Sequence, residues 1–409
     1  MPSIPKHWQM LRVKNVGRAL IGLTYGPEDV VDDAAEGTLV LRAGNIQDGR
    51  LQLTDNVYVS KPVPDTLRLR PSDIVVCARN GSAHLIGKNA VATSQVAGQT
   101  WGAFMAVLRS AHNSYLRWVL NSQIFAAQIG IFSTSTINQL TSETLHNLKF
   151  AIPPTSEQRA IAHFLERETA RIDALIEEQQ RLIEMLRERR KAVVERAVFS
   201  GLESAPTTSN AERWLPPTPS HWKVLQLGFV SETVAGYAFP SDGFSTDESH
   251  MRLVRGVNVK PGRIDWTDIV YWDVEGAPVP REFVLEAGDL VLGMDRPFVG
   301  GGVRVAAVEH RDLPGLLLQR VMRIRTIDNA GRKYMRYVMA TDAFFNYLEP
   351  LFTGVSVPHV SEWQVRKFKM PFPPGDEQER ITAYLDKRTA KIDMLIAEAE
   401  LFIELSKER

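Results

Sequence analysis

Pro153-Pro154-Thr155-Ser156-Glu157-Gln158 opens the stretch that organises this chain. After it, apolar residues recur at helical spacing, and no proline or glycine interrupts the pattern until Gly201. The spacing predicts a helix of about 45 residues, roughly 65–70 Å long and far above the usual helix length. Thr155 and Gln158 have the spacing of a capping box, and the two prolines stop any preceding helix. Charged residues fill the other face, so the apolar stripe needs a partner helix.

The partner is a second copy of this stretch, which begins at Pro373-Pro374-Gly375-Asp376-Glu377-Gln378. The copies keep one register, and about 17 of the 37 positions from the Pro-Pro pair onward are identical, too many for unrelated amphipathic helices. A single amphipathic helix is most often a core helix, but the length and the repetition favour a coiled coil here. The second copy ends about three turns short of the equivalent point, so either the chain is truncated or its tail differs.

The repeat extends to the segments that precede the helices. His7-Trp8 begins the first segment, and His221-Trp222 begins the second. Pro71-Ser72-Asp73-Ile74-Val75-Val76 matches Ala287-Gly288-Asp289-Leu290-Val291-Leu292, and each predicts a turn followed by a buried strand. Between such matched blocks the two segments diverge, as expected for two copies of one scaffold with different binding specificities.

The sequence therefore predicts an α+β fold with two mixed α/β domains. Two long antiparallel helices in a coiled coil separate the domains, and the whole forms an internal pseudo-two-fold repeat. A stretch rich in Ser, Thr and Pro predicts a linker between the two copies. The predicted boundaries are residues 1–150 for the first domain, 151–201 for the first helix, 202–219 for the linker, 220–370 for the second domain and 371–409 for the second helix.

Composition excludes several classes of protein. The chain has 409 residues, 44% hydrophobic and 23% charged, which is typical of globular proteins with two or three domains. No apolar run approaches the roughly 20 residues that span a membrane, and the N-terminus is not that of a signal peptide, so we expect a cytoplasmic protein. The single cysteine, Cys77, excludes an intramolecular disulfide framework. The net charge is zero, so any binding to nucleic acid would use local patches.

Motifs for catalysis are missing from the sequence. It contains no Gly-x-x-x-x-Gly-Lys-Ser/Thr phosphate loop, no Gly-x-Gly-x-x-Gly after a strand, and no Asp/Asn-Pro-Pro-aromatic motif of adenine methyltransferases. The histidines are scattered, with no His-x-x-x-His pair for a metal. His7 and His221 recur beside tryptophans, which favours hydrogen-bonded structural roles over catalysis. We therefore expect no catalytic activity, no metal site and no cofactor in the chain alone.

Two divergent domains, each followed by a Pro-Pro-x-x-Glu-Gln helix that carries an Ile-Asp-x-Leu-Ile pattern, resemble the specificity subunit of Type I restriction-modification enzymes. The resemblance covers nearly the whole chain. It implies that each domain is a target-recognition domain for one half of a bipartite double-stranded DNA target. It also implies that the helices act as a spacer and recruit two methyltransferase subunits, which supply S-adenosylmethionine and adenine-N6 chemistry. Whether a restriction subunit with motor and nuclease activity joins, which bases form the target and how long the gap is stay open.

Polar residues on loops are the candidates for DNA contact, because Arg can bind guanine O6 and N7 at two points and Asn can do so with adenine. For each single residue, a solvated surface side chain is the commoner situation. Ile176 and Ile183 are the candidates for contact with the methyltransferase. The DNA candidates are Arg79, Asn80, Lys88, Ser133, Thr134, Ser135 and Thr136 in the first domain and Arg296, Arg304, Thr353, Ser356 and His359 in the second.

Two other classes of function compete with this interpretation. One is a coiled-coil scaffold that holds two protein-binding domains and never contacts nucleic acid, which the zero net charge slightly favours. The other is an enzyme with a cryptic site, which the missing motifs disfavour. A positive concave patch on each domain would support DNA binding, and its absence would support the scaffold.

Overall fold

A computed structural model of the chain describes residues 4–132, 139–299, 302–327, 329–352 and 358–408. The chain divides into two compact units, Met1–Ala174 and Leu175–Arg409. The boundary lies inside the first long helix, which therefore begins in unit 1 and ends in unit 2. None of the helices in these described ranges combines the length and the apolar composition that crossing a bilayer requires.

The described residues of unit 1 form short strands, short helices and the first half of a long helix. These elements are β1 (Gln9–Arg12), α1 (Val13–Val16), β2 (Gly17–Ile21), β3 (Val30–Val31), β4 (Thr38–Leu41), β5 (Ile46–Gln47), β6 (Arg50–Leu51), β7 (Tyr58–Val59), β8 (Ile74–Cys77), β9 (Asn89–Val91), β10 (Thr100–Trp101), β11 (Met105–Ser110), α2 (Asn113–Val119), α3 (Gln123–Phe132), α4 (Ser142–Asn147), β12 (Lys149–Ile152) and α5 (Thr155–Ser200).

Unit 2 begins within α5 and repeats this order of elements. Its further elements are β13 (Thr207–Thr208), β14 (Thr218–Pro219), β15 (Lys223–Gln226), α6 (Leu227–Val230), β16 (Ser231–Ala235), β17 (Met251–Val254), β18 (Val259–Lys260), β19 (Arg263–Ile264), β20 (Tyr271–Trp272), β21 (Leu290–Gly293), β22 (Phe298–Val299), β23 (Gly302–Val303), β24 (Val305–Ala307), β25 (Gly315–Leu317), β26 (Val321–Thr326), α7 (Asn329–Met339), α8 (Asp342–Leu348), α9 (Glu362–Arg366), β27 (Lys369–Phe372) and α10 (Gly375–Lys407).

One four-stranded antiparallel sheet has the same design in both units. Its strand order is β2-β11-β8-β9 in unit 1 and β16-β26-β21-β24 in unit 2. The register also corresponds, because Cys77 pairs with Met105 in unit 1 and Gly293 pairs with Val321 in unit 2. The central strands β8 and β21 are fully buried, as their continuous apolar sequences predict. This shared register identifies equivalent positions in the two units, and it confirms the internal repeat and the α+β class.

A buried ion pair stabilises this sheet in each unit by linking the start of one central strand to its neighbour. Asp73 accepts hydrogen bonds from Arg109 Nε at 2.9 Å and Nη2 at 2.6 Å. Asp289 accepts them from Arg325 Nε at 2.6 Å and Nη2 at 2.7 Å, and these bonds raise the pKa of the Arg325 guanidinium above its ordinary value. Because Arg supplies two parallel donors, one carboxylate satisfies both in a fixed geometry.

Within unit 2, α10 and the second half of α5 pack as an antiparallel pair. Arg187 bonds Glu400 at 3.0 Å and Arg190 bonds Asp393 at 2.7 Å, so residue numbers rise along one helix while they fall along the other. The least exposed residues recur at alternating spacings of three and four along both helices, as in a coiled-coil seam. They are residues 176, 179, 183, 186, 190, 193 and 197 on α5 and residues 385, 389, 392, 396, 399, 403 and 406 on α10.

The start of α5 differs from the predicted capping box. Thr155 is already the first helical residue, and the side-chain amide of Gln158 donates to the carbonyl of Pro153 at 2.8 Å. Because the helix begins one residue earlier than predicted, its N-cap is Pro154, which has neither a hydroxyl nor an N–H for the bonds of a capping box. Gln378 makes the same 2.8 Å bond to Pro373 at the start of α10, so this contact is a repeated feature of the fold.

The segment predicted as a linker is partly ordered against unit 2. Thr207–Thr208 and Thr218–Pro219 pair as two antiparallel strands. Leu215 is buried in the main core of the unit, and the Trp214 ring lies 4.9 Å from that of Tyr347, centroid to centroid. The apolar residues inside a stretch rich in Ser, Thr and Pro account for this packing, because they bury surface that a free linker would expose.

Candidate nucleic-acid interface

Three surface residues of unit 1 meet just beyond the end of β8. The backbone N–H of Arg79 donates to the carbonyl of Phe104 at 2.9 Å, and Arg79 forms an isolated antiparallel bridge with Gln139. The Arg79 guanidinium carbon lies 5.3 Å from the centroid of the Phe104 ring, in cation–π contact, and Phe104 is 60% exposed. We call Arg79, Phe104 and Gln139 surface triplet 1.

The equivalent positions of unit 2 hold a different set of side chains. Asp295 follows β21 as Arg79 follows β8, and it forms an antiparallel bridge with His359. Arg320 precedes β26 as Phe104 precedes β11, and its carbonyl accepts from the N–H of Met294 at 2.9 Å. Asp295 Oδ1 lies 2.7 Å from His359 Nδ1 and 3.7 Å from Arg320 Nη1. We call Asp295, Arg320 and His359 surface triplet 2.

Strained backbone surrounds surface triplet 2. Arg296 and Arg320 adopt φ values of 45° and 68°, in the left-handed region that residues with a side chain rarely enter. The N–H of Arg296 donates to the carbonyl of Pro358 at 2.6 Å, which helps to hold this conformation. Strain of this kind persists where the surroundings fix it, and it concentrates at functional sites. Arg296 is exposed, as a residue that contacts DNA requires.

Arg304, which was predicted to contact DNA, is instead a buried side chain with a structural role. It is buried, and its Nε donates to the carbonyl of Val259 at 2.9 Å while Nη1 donates to that of Asp295 at 2.8 Å. Burial lowers the pKa of its guanidinium below the ordinary value. A side chain that holds two backbone segments together from the interior cannot also reach a base edge, so we remove Arg304 from the candidates.

The other candidates of unit 1 lie close to the sheet edge. Asn80 is half-buried, and its Oδ1 accepts from the N–H of Ser82 at 3.0 Å. Lys88 is half-buried, and its carbonyl accepts from the N–H of Cys77 at 2.8 Å. Cys77 is a buried core side chain, and this burial raises the pKa of its thiol. The remaining candidates lie outside the described residues: Ser133, Thr134, Ser135, Thr136, Thr353 and Ser356.

Sequence reasoning missed four members of the two triplets, namely Phe104, Gln139, Asp295 and Arg320. Phe104 and Gln139 lie far from Arg79 in the sequence. The pairing of β8 with β11 brings Phe104 to Arg79, and an isolated bridge brings Gln139. Extending the alignment beyond the matched Asp73 and Asp289 blocks would have identified Asp295 as the counterpart of Arg79. The positive φ of Arg320 has no signal in the sequence, because Gly or Asn is the usual residue in this conformation.

The two isoleucines predicted to bind a partner lie on the coiled-coil seam. Ile183 is only 6% exposed and Ile176 is half-buried, because both positions face the intramolecular seam. The outer edge of the apolar stripe is the more accessible part, and there Met185 is 60% exposed. Other exposed apolar residues on the two helices are Leu175, Leu182, Met394, Leu395, Leu401, Phe402 and Leu405. These residues form the accessible apolar surface of the two helices, whereas substitution of Ile183 would first weaken the coiled coil itself.

Both histidine–tryptophan pairs bind the glutamate of the following Pro-Pro helix. Glu157 accepts from Trp8 Nε1 at 3.1 Å and lies 2.9 Å from His7 Nε2. In unit 2 the Trp222 and His221 nitrogens lie 2.9 and 2.7 Å from the carboxylate of Glu377. These contacts support the expectation of structural histidines. Within the described residues, no group of three or more His, Cys, Asp or Glu could hold a metal ion.

The two glutamates should contribute unequally to stability. Trp222 is buried, whereas Trp8 is half-exposed, so Glu377→Ala leaves a buried indole N–H without its acceptor. We expect it to lower the free energy of unfolding of unit 2 by about 1–3 kcal/mol. Glu157→Ala, the matched control, should cost unit 1 less than about 1 kcal/mol. Hydrogen exchange of the β15 and β1 amides measures both, and an equal loss in the two variants would contradict this explanation.

Comparisons with known proteins give the family. Residues 73–185 match the model described as the Type I restriction modification DNA specificity domain. The chain is also 25% identical over 404 residues to the Type I restriction enzyme EcoKI specificity subunit of Escherichia coli, covering 96% of this chain and 84% of that subunit. Over nearly its whole length the chain is therefore similar to the Type I restriction-modification specificity subunits. The family inferred from the two Pro-Pro helices is thereby confirmed.

Other relatives of the chain match over different lengths. It is 26% identical over 261 residues to the Type I restriction enzyme MjaVIII specificity subunit of Methanocaldococcus jannaschii, which covers 64% of this chain and spans 59% of that relative. A solved chain of the type I R-M system has a TM-score of 0.70 at 18% identity, covering all of this chain and 96% of the other. The HsdS subunit of Thermoanaerobacter tengcongensis has a TM-score of 0.57 at 17% identity with the same coverage. The structural likeness supports the two-domain fold.

Proposed function

We propose that this specificity subunit recognises a bipartite double-stranded DNA target, with one half bound by each unit. The observation that carries the proposal is the repeated sheet edge, which presents different exposed polar side chains at equivalent positions of the two units. Two copies of one scaffold with different surface chemistry are suited to two different short sequences, since base edges are distinguished by hydrogen-bond donors and acceptors. The DNA specificity domain matched by residues 73–185 supports this function.

In the same proposal, α5 and α10 set the spacing between the half-sites and recruit two DNA methyltransferase subunits. The exposed apolar residues beside the seam, such as Leu182 and Met185, provide the contact surface. The bound methyltransferase supplies S-adenosylmethionine and adenine-N6 chemistry, and restriction subunits join the complex in systems that cleave DNA. The chain itself acts in the cytoplasm as a non-catalytic recognition subunit. The alternative of a scaffold without nucleic acid gains no support from the relatives.

Replacement of one domain tests the assignment of one half-site to each unit. The first domain should be exchanged for that of another family member with its junction at Pro153, because β12 pairs with β1 and must be exchanged with it. The complex of the chimera with the cognate methyltransferase should methylate a motif with one new half and one unchanged half. Sequencing of methylated adenines in the host genome gives the motif.

Two controls accompany the replacement. Exchange of residues 220–372 should alter the other half of the motif and leave the first half unchanged. The purified chain without methyltransferase should show no methyl transfer from S-adenosylmethionine and no DNA cleavage. A chimera that changes both halves, or neither, contradicts the assignment of one half-site to each unit.

A further inference from the structure

The two surface triplets occupy equivalent positions by three independent criteria. Arg79 lies two residues beyond Cys77, the last residue of β8. Asp295 lies two residues beyond Gly293, the last residue of β21. Phe104 lies one residue before β11, the partner of β8, and Arg320 lies one residue before β26, the partner of β21. The Phe104 carbonyl accepts from the N–H of Arg79, and the Arg320 carbonyl accepts from the N–H of Met294. The third positions form the same isolated antiparallel bridge. The equivalence is therefore a property of the backbone and does not depend on side-chain identity.

The two units have the same residue types in the buried ion pair of the sheet but different residue types in the surface triplets. The buried Asp73–Arg109 and Asp289–Arg325 pairs have the same residue types and the same two-point geometry. Surface triplet 1 combines a cation, an aromatic ring and an amide. Surface triplet 2 combines an acid, a cation and an imidazole. Two domains that recognise different DNA sequences need the same internal support and different surface side chains, and the two units have both.

Building on the proposed function, we propose that the surface triplets determine the specificity of the two half-sites, with Arg79 and Arg320 as the base-contacting residues. Each guanidinium is exposed, that of Arg320 to 59% of its side-chain surface. An arginine fork binds guanine O6 and N7 in the major groove at two points. The proposal therefore assigns one guanine contact to each half-site.

Each arginine has a neighbour that orients it. The Phe104 ring lies under the Arg79 guanidinium and restricts its rotation. In unit 2 the Asp295 carboxylate lies 3.7 Å from Arg320 Nη1 and is itself held by His359, so it attracts one edge of the guanidinium and leaves the other exposed. Orientation before binding lowers the entropy lost on contact with DNA. Phe104 and Asp295 are thus positioning residues and do not themselves contact a base.

Methylated-motif sequencing of the full chain in complex with its cognate methyltransferase tests the proposal. Arg79→Ala should relax a single base pair in the half-site of unit 1, with roughly 10- to 100-fold lost discrimination there and the other half unchanged. Arg320→Ala should do the same in the half-site of unit 2. The controls Arg70→Ala and Arg281→Ala remove exposed arginines elsewhere in the same units and should leave the motif unchanged.

A second set of variants separates positioning from mere folding. Phe104→Ala should relax the same base pair as Arg79→Ala, whereas Phe104→Tyr, which retains the ring, should keep the motif. A purely structural role for Phe104 would instead lower methylation equally at all sites without altering the motif. Equal loss at every sequence in Arg79→Ala, as for a phosphate contact, would overturn the base assignment. If the unaltered complex methylates no bipartite motif, it is the proposed function that fails.

Discussion

Asp289→Ala should lower the free energy of unfolding of unit 2 by about 3–5 kcal/mol, well above the loss from breaking an exposed ion pair. The Asp289 side chain is 0% exposed and receives two hydrogen bonds from Arg325. Its Oδ2 also accepts from the N–H of Glu286 at 2.8 Å. Removal of the carboxylate leaves a largely buried guanidinium with the partly exposed Glu286 carboxylate as its remaining acid partner. The loss follows from a largely buried charge that keeps only a solvent-exposed acid partner and from an unsatisfied backbone donor.

An ion pair of the same unit whose carboxylate is exposed provides the control. Arg255 bonds Asp268 at 2.6 Å, but the Asp268 side chain is 62% exposed. Asp268→Ala should therefore cost less than about 1 kcal/mol, because water replaces the lost partner. Hydrogen exchange followed by mass spectrometry gives the opening free energy of the β21 and β26 amides in both variants. If the two variants differ by less than about 1 kcal/mol, the buried pair is not the main support of this sheet.

The long helices and the repeat could be predicted from sequence because both depend on local patterns. Pro-Pro pairs mark the helix starts, and apolar periodicity marks their faces. The predicted antiparallel packing of the helices is confirmed within unit 2 by the Arg190–Asp393 ion pair. The capping box was predicted wrongly, because α5 begins at Thr155 itself, one residue earlier than an N-cap at Thr155 requires. The N-cap is therefore Pro154, which has neither a hydroxyl nor an N–H, and the Gln158 side chain donates to the Pro153 carbonyl.

The candidate site could be predicted only in part, because it forms where distant segments meet. Arg79 was found as a polar residue on a predicted loop, whereas Phe104 joins it only through sheet pairing. Arg304 was misassigned because an arginine near a glycine-rich turn has the same sequence signal whether it faces solvent or three backbone carbonyls. Ile183 shows the same ambiguity on a helix. A wide apolar stripe has an inner and an outer edge, and only packing shows which residues face inward.

The seam between the helices makes their length adjustable in steps of seven residues. Its buried positions repeat with spacings of three and four, so removal of seven residues brings equivalent residues back to the seam. A straight α-helix then differs by only about 20° from two full turns. Removal of four residues instead leaves the helix turned by about 40° beyond one full turn and places polar residues on the seam. The four-residue deletion is thus a control that disrupts the packing of the seam.

A matched deletion of residues 182–188 from α5 and 397–403 from α10 should keep the fold and shorten the gap in the DNA target, while the exposed Leu175, Met394, Leu395 and Leu405 remain for contact with the methyltransferase. The deleted segments face each other across the seam, as the Arg187–Glu400 pair shows, and the Arg190–Asp393 pair next to them is retained. Seven residues correspond to about 10 Å of helix, which equals about three base pairs of B-DNA. Methylome sequencing should show both half-sites unchanged and a non-specific gap shorter by about three base pairs. A folded, active complex with the original gap would show that the helices do not set the spacing.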